Sequence, residues 1–232
     1  MSNTSLKWRP ITASAPAKVI LHGEHSVVYG KLALAASVDL RTTVVFKPLK
    51  RKILRVNLQD FSEKSLDFDL ESLKSLPYEE NEEIDERLKQ RLQDLICNNV
   101  ESSEHLRQKE GLLALFYILV AFLQESQVDL VPIEITVSSE IPMGAGLGSS
   151  AAFSVSMAAA LVQLRNCLKN QKANEDQDRD TICNWAFKSE KIIHGNPSGN
   201  SKLSYCYVCL HLNSNFLARK SEKFKMNAKI VG

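Results

Sequence analysis

Residues 142–152 read Pro-Met-Gly-Ala-Gly-Leu-Gly-Ser-Ser-Ala-Ala, with glycines at the alternate positions 144, 146 and 148 leading into two serines. Glycine adopts backbone conformations closed to other residues and lets the main chain approach a ligand with no Cβ in the way. Just before this run, Val131, Ile133, Ile135 and Val137 alternate with their neighbours as in a half-buried strand. Just after it, Ser149 to Leu168 contains no glycine or proline and is rich in Ala, Val and Leu, which predicts a helix. In that order the free N–H groups and the positive dipole end of the helix face whatever lies against the loop. Gly144, Ala145, Gly146, Leu147, Gly148, Ser149 and Ser150 therefore form a candidate phosphate cradle, and a serine at such a helix start can also offer an oxygen to Mg²⁺.

Two better-known phosphate loops do not fit. No lysine follows Gly148, so the run is not a Walker A loop. A dinucleotide fingerprint needs a second strand ending in an acid about 20 residues on, where this chain has helix and then a charged stretch. A glycine-rich turn with no ligand is the simpler alternative.

The chain has 232 residues, 44% of them hydrophobic, enough for a sizeable core. Its formal charge of +2, with no basic stripe interleaved with aromatics, gives no reason to expect nucleic acid or a membrane surface as partner. Met1 to Trp8 has no apolar signal region, and the longest apolar run, Gly111 to Leu123, is too short to span a bilayer, so a soluble intracellular chain is expected. Five scattered cysteines point to reduced thiols. Cys206 and Cys209 with His211 resemble half a zinc site but have no second ligand pair at the needed spacing.

Along the chain, Ile11 to about Leu58 predicts short strands with one helix near Leu32 to Val38. Asp60 to Pro77 is poorly specified. Glu79 to Ile96, with Leu88, Leu92 and Ile96 at helical spacing, predicts a helix with one solvated face. Gly111 to Gln124 predicts a core helix. Asn170 to Asp180 reads as a charged loop, and Thr181 to His194 as a helix ended by Gly195, Asn196 and Pro197. From Asn200 the character changes: six Lys or Arg stand against the single acid Glu222, a shift of the kind that marks a boundary.

Two further clusters carry chemistry. Ala15 to His25 places Lys18, His22, Glu24 and His25 around a break at Gly23, suited to phosphate or substrate, although a surface loop is the default for such a segment alone. Glu190 lies near the end of a helix before His194-Gly195-Asn196-Pro197-Ser198-Gly199. It is a candidate Mg²⁺ carboxylate, since a cation bound to nucleotide phosphates needs only one or two protein oxygens. By itself it is equally a surface glutamate.

Taken together, Ala15-Pro16-Ala17-Lys18-Val19-Ile20-Leu21-His22-Gly23-Glu24-His25 with Val27-Val28-Tyr29-Gly30, the glycine run, and Ile193-His194-Gly195-Asn196-Pro197-Ser198-Gly199 resemble the GHMP kinase superfamily, and within it the eukaryotic type of mevalonate kinase. The glycine run marks the superfamily, whereas the first and third motifs separate mevalonate kinases from their relatives. Ser26-Val27 stands where galactokinases carry Thr-Asp, and Ala17 stands at a usual glycine. The resemblance covers Ala13 to Gly199 and implies an α+β fold: the GHMP-kinase N-terminal domain, a mixed sheet backed by helices, over 11–199. It also implies a divergent, poorly structured tail over 200–232 in place of the family's C-terminal domain.

For the site, the resemblance implies that Lys18 lies beside the transferring phosphoryl group and that 144–150, with Ser139 and more weakly Asp60, contact ATP. Ser150 and Glu190 would hold Mg²⁺, and Glu24 and His25 would line the substrate side. It implies transfer of the γ-phosphoryl of ATP to the 5-hydroxyl of mevalonate, in a homodimeric family of isoprenoid and sterol synthesis. Cytoplasm is the default location. The peroxisome is the alternative, because Lys18-Val19 and His25-Ser26 partly fit an internal address. One element is missing: the family's catalytic Asp falls at Ser201, which cannot act as a carboxylate base, and loss of general-base help costs about 10²–10⁴ in rate. An impaired kinase is therefore expected, or else a non-catalytic ATP-binding isoform that associates with the full-length enzyme.

Overall fold

The computed structural model describes residues 8–23, 25, 29, 33–60, 64–80, 83–100, 106–142, 144–195 and 227–231. The elements run β1 (Ile11–His22), β2 (Ala33–Pro48), β3 (Ile53–Leu58), β4 (Leu66–Asp69), α1 (Leu70–Lys74), α2 (Glu86–Asn99), α3 (Leu106–Glu125), β5 (Ile133–Ser139), α4 (Ser149–Leu168), α5 (Glu175–His194) and β6 (Asn227–Val231). The sheet order is β1-β2-β5-β3-β4, with β6 also paired to β2. Antiparallel β3–β4 and parallel β3–β5 pairs make it the mixed sheet expected. The chain divides into two compact units, each assembled from three separated segments.

The first unit comprises Met1–Thr12, Val44–Ser138 and Ala160–Asn174. Strand β3 alternates half-buried and buried positions, sending Leu54, Val56 and Leu58 inward. Helix α2 turns in Leu88, Leu92 and Ile96, the stripe its spacing predicts. Asp85 caps α2: its Oδ1 accepts from the N–H groups of Arg87 (2.9 Å) and Leu88 (3.1 Å), and its own N–H donates to the Tyr117 hydroxyl at 2.7 Å. Helix α3 is buried on nearly every side, and Phe116 meets Phe68 edge to face at 4.6 Å. Burying a side chain of this size stabilises by about 1.5–3 kcal/mol.

The second unit comprises Ala13–Thr43, Ser139–Ala159 and Glu175–Gly232. Along β1, Ala13, Ala15 and Ala17 are buried at alternate positions, the period of a strand. Pro16 cannot donate to a sheet ladder, and β1 stands at an end of the strand order, where that is tolerated. Residues 33–38 are strand, not the helix their Ala and Leu content predicts. Antiparallel pairing of Ala33–Ser37 with Asn227–Val231 supplies the ladder that overrides helix propensity. Helix α5 begins at Glu175, earlier than expected. Glu175, Asp176 and Asp178, read as loop, occupy its first turn, where negative charge suits the helix dipole.

Helix α4 spans Ser149–Leu168 as the sequence predicts. By length and composition it could cross a membrane, but 72% of that apolar window is buried, as in a core helix. Cys97, Cys167 and Cys183 form no disulfide, while Cys206 and Cys209 lie outside the described residues. Apart from β6, the tail from Asn200 is likewise outside them.

Candidate functional site

Two clasps fix the entry to the glycine run. The Thr42 and Ser139 hydroxyls are 2.8 Å apart, and Ser139 Oγ also accepts from the Ile141 N–H at 3.2 Å. The Arg41 N–H donates to the Glu140 carboxylate at 3.1 Å, and the Glu140 N–H donates back to the Arg41 carbonyl at 2.9 Å. The Arg41 guanidinium reaches on to Ser14 in β1 through two hydrogen bonds, of 2.9 and 3.1 Å. The chain therefore leaves β5 along one path into the loop.

Gly144, Gly146 and Gly148 have φ of +75°, +72° and +71°, and neither Ala145 nor Leu147 is positive. Backbone that alternates in sign this way turns successive N–H groups toward one side, the pattern of an anion-binding nest. The Ala152 N–H donates to the Gly148 carbonyl at 3.0 Å as α4 begins. The N–H groups of Ser149, Ser150 and Ala151 therefore lie in the first turn, ahead of the intrahelical ladder. The glycine run leads directly into the helix start, so both kinds of donor follow one another along the chain.

Lys18 is packed directly against this loop. Its N–H donates to the Leu147 carbonyl at 3.0 Å, and its side chain is only 6% exposed. A Cβ built on Gly148 would stand 3.0 Å from Lys18 Cγ and 3.2 Å from Cε. Position 148 is thus glycine for two reasons, its backbone conformation and the lysine stem lying across it.

Glu190, on the penultimate turn of α5, is 7% exposed, which excludes the surface-glutamate alternative. Its Oε1 accepts from the Ser154 hydroxyl at 3.2 Å, and its Oε2 lies 4.0 Å from His194 Nε2. His194 Nε2 is in turn 2.9 Å from Ser150 Oγ, which ties the end of α5 to the start of α4. Burial pushes the Glu190 carboxyl above the usual range, against the opposing pull of His194, of the Ser150 and Ser154 hydroxyls and of Lys18. A further positive charge brought beside this carboxylate would favour its ionised form.

Of the residues singled out in the sequence, the structure brings together Lys18, Gly144, Ala145, Gly146, Leu147, Gly148, Ser149, Ser150 and Glu190. Ser139 stands at the loop entrance, its hydroxyl already engaged. His25 is exposed in a turn, and Asp60 lies in the turn after β3, in the first unit. Glu24 and Ser201 fall outside the described residues. Ser154, Ser189 and the partner role of His194 were missed. The available signal was the i, i+4 spacing of Ser150 and Ser154, which puts both hydroxyls on one helix face.

Among the described residues no three His, Cys, Asp or Glu gather as a metal cluster. What the site offers is one carboxylate and hydroxyl oxygens beside the glycine run and the start of α4. That set suits a hard cation brought in with phosphate oxygens rather than a zinc ion.

Residues 114–208 match the GHMP kinases N terminal domain family. This chain carries a GHMP kinase N-terminal domain. It is 38% identical over 208 residues to the mevalonate kinase of Mus musculus and 36% identical to that of Homo sapiens, covering 82% of this chain and 50% of each relative. Among solved structures it is similar to the mevalonate kinase of Methanococcus jannaschii, with a TM-score of 0.57 at 25% identity over 86% of this chain and 52% of that one. A second mevalonate kinase structure gives 0.58 at 25% identity, over 92% of this chain and 56% of the other. The chain spans about half the length of the curated relatives it matches.

Proposed function

We propose that this chain is the ATP-binding half of a mevalonate kinase, the lineage that moves the γ-phosphoryl of ATP to the 5-hydroxyl of mevalonate. The observation that carries the reading is Lys18 packed on Gly148 within the cluster that holds Glu190. The cradle N–H groups would bind the triphosphate, and the Lys18 ammonium would offset charge on the phosphoryl oxygens as they move toward the acceptor. Ser150 and Glu190 would hold Mg²⁺, which when bound neutralises phosphate charge and fixes the triphosphate geometry. Glu24 and His25 are proposed for the mevalonate side. Orientation and deprotonation of the acceptor hydroxyl would fall to a carboxylate, and Ser201 stands at that position.

The test is ATP-dependent phosphorylation of mevalonate by the purified chain, beside calorimetric titration with Mg-ATP. The expected result is Mg-ATP binding with turnover at least about 10²-fold below that of a complete mevalonate kinase. Equal turnover would sink the impairment, and absence of ATP binding would sink the whole reading. Galactose, homoserine and phosphomevalonate as acceptors separate it from other GHMP kinases. Ser201 favours a second reading, a non-catalytic nucleotide-binding chain that associates with the full-length enzyme. Co-purification with that enzyme, together with Mg-ATP binding and no turnover, would support it.

A further inference from the structure

Beneath Glu190 lie two fully buried hydroxyls that the proposed reaction leaves without a task. Ser154, in the middle of α4, and Ser189, beside Glu190 on α5, are both 0% exposed. A buried hydroxyl is costly unless hydrogen-bonded, and a serine inside a helix has an easy local remedy in a carbonyl of the preceding turn. Ser156 takes it, donating to the Phe153 carbonyl at 3.0 Å. Ser154 and Ser189 are turned instead toward each other, 2.9 Å apart, and Ser154 reaches the Glu190 carboxylate at 3.2 Å.

Counting protons orders the three groups. Ser154 has one hydroxyl proton, and an ionised Glu190 can only accept. Ser154 therefore donates its one proton between two acceptors, Ser189 Oγ at 2.9 Å and Glu190 Oε1 at 3.2 Å, and Ser189 fixes the direction of the hydroxyl that faces Oε1. This shared hydroxyl ties down one carboxylate oxygen and leaves Oε2 on the side of His194, which Ser150 in turn holds. We infer that Ser154 and Ser189 are positioning residues that fix the Glu190 carboxylate so that a single oxygen, Oε2, is presented to the divalent cation carried in with ATP. The inference rests on the reading of Glu190 as the cation carboxylate. Groups of this kind behind a metal ligand are typically worth 10–100-fold in metal affinity.

The experiment is calorimetric titration of the full chain with ATP, once in excess Mg²⁺ and once in EDTA, for wild type, S154A, S189A and E190Q. For S154A the Mg²⁺-dependent gain in ATP affinity should fall about 10–100-fold, with metal-free ATP affinity unchanged. S189A should show the same loss in smaller degree, because Ser154 keeps a proton for Glu190 but loses the acceptor that orients its hydroxyl. Parallel loss of affinity in both conditions would mean that the serines only support the fold, and overturns the inference. If S154A does not fold, S189A carries the test, and a Mg²⁺ gain equal to wild type in S189A overturns it. If E190Q loses the Mg²⁺ gain while both serine variants keep it, the positioning role fails and the cation reading stands. If E190Q keeps it, the cation reading itself fails.

Discussion

Two residues concentrate the chemistry of the site. Gly148 has φ of +71° and carries the Lys18 stem across the place a Cβ would fill. Gly148→Ala should cost about 1–2 kcal/mol of stability from the left-handed backbone alone. Because Lys18 must also move, ATP affinity should fall by more than stability does. Thermal unfolding and ATP titration of G148A check this, and unchanged ATP affinity would mean that Lys18 is not set by position 148. Glu190 gives a prediction in pH. Its folded carboxyl titrates above the unfolded one, so on raising pH the unfolded chain releases its proton first and stability falls across that window. Without nucleotide, E190Q should gain on wild type in urea midpoint as pH rises above the ordinary glutamate value of 4.5. A pH-independent gap between the two would show that burial of this carboxyl carries no such cost. At this scale the sequence was legible wherever a residue's conformation or charge sign mattered locally, as for the glycines and Lys18. Glu190 was named from its motif, but its burial depends on α4 and α5 packing together, which no local pattern reveals.

Among the elements, the strongly periodic ones could be read from sequence: α4 to the residue, α2 through Leu88, Leu92 and Ile96, and β5 through its alternation. The misread ones share a physical reason. Residues 33–38 carry helix-forming side chains in a strand made by pairing with distant β6, and Glu175 to Asp180 look loop-like because polar residues also belong in a first helical turn. Helix α2 offers an element-scale prediction. Asp85 is buried, which alone would raise its carboxyl, yet donation from the N–H groups of Glu79, Leu88 and Arg87 holds it below the usual range. Its contribution is therefore present above the unfolded value of 3.8 and lost as pH falls through the lower folded one. Asp85→Ala should cost about 1–2 kcal/mol at neutral pH, and the cost should shrink in acid. Chemical denaturation at several pH values measures it, and a pH-independent deficit would assign the effect to packing instead.

At the scale of the whole chain, each compact unit is assembled from three stretches, and neither is a continuous fragment. Bringing distant segments together costs loop-closure entropy before any contact returns it, so folding should be slow for the size. A chain ending at Asn174 loses α5 from the second unit, and with it Glu190 and the partners of Ser150 and Ser154. That truncation should lose Mg²⁺-dependent ATP binding entirely, and retained binding would refute the site as described. Division into interleaved segments was not legible in the sequence, because composition marks where character changes along a chain and not where the chain returns. The same interleaving has a consequence during synthesis. Lys18 is made early and Glu190 roughly 170 residues later, on the order of 10–35 s at ordinary elongation rates. For that interval the nascent chain holds a lysine destined for burial with no carboxylate yet made to receive it. The cell's folding helpers would meet this protein with polar groups destined for burial still facing water.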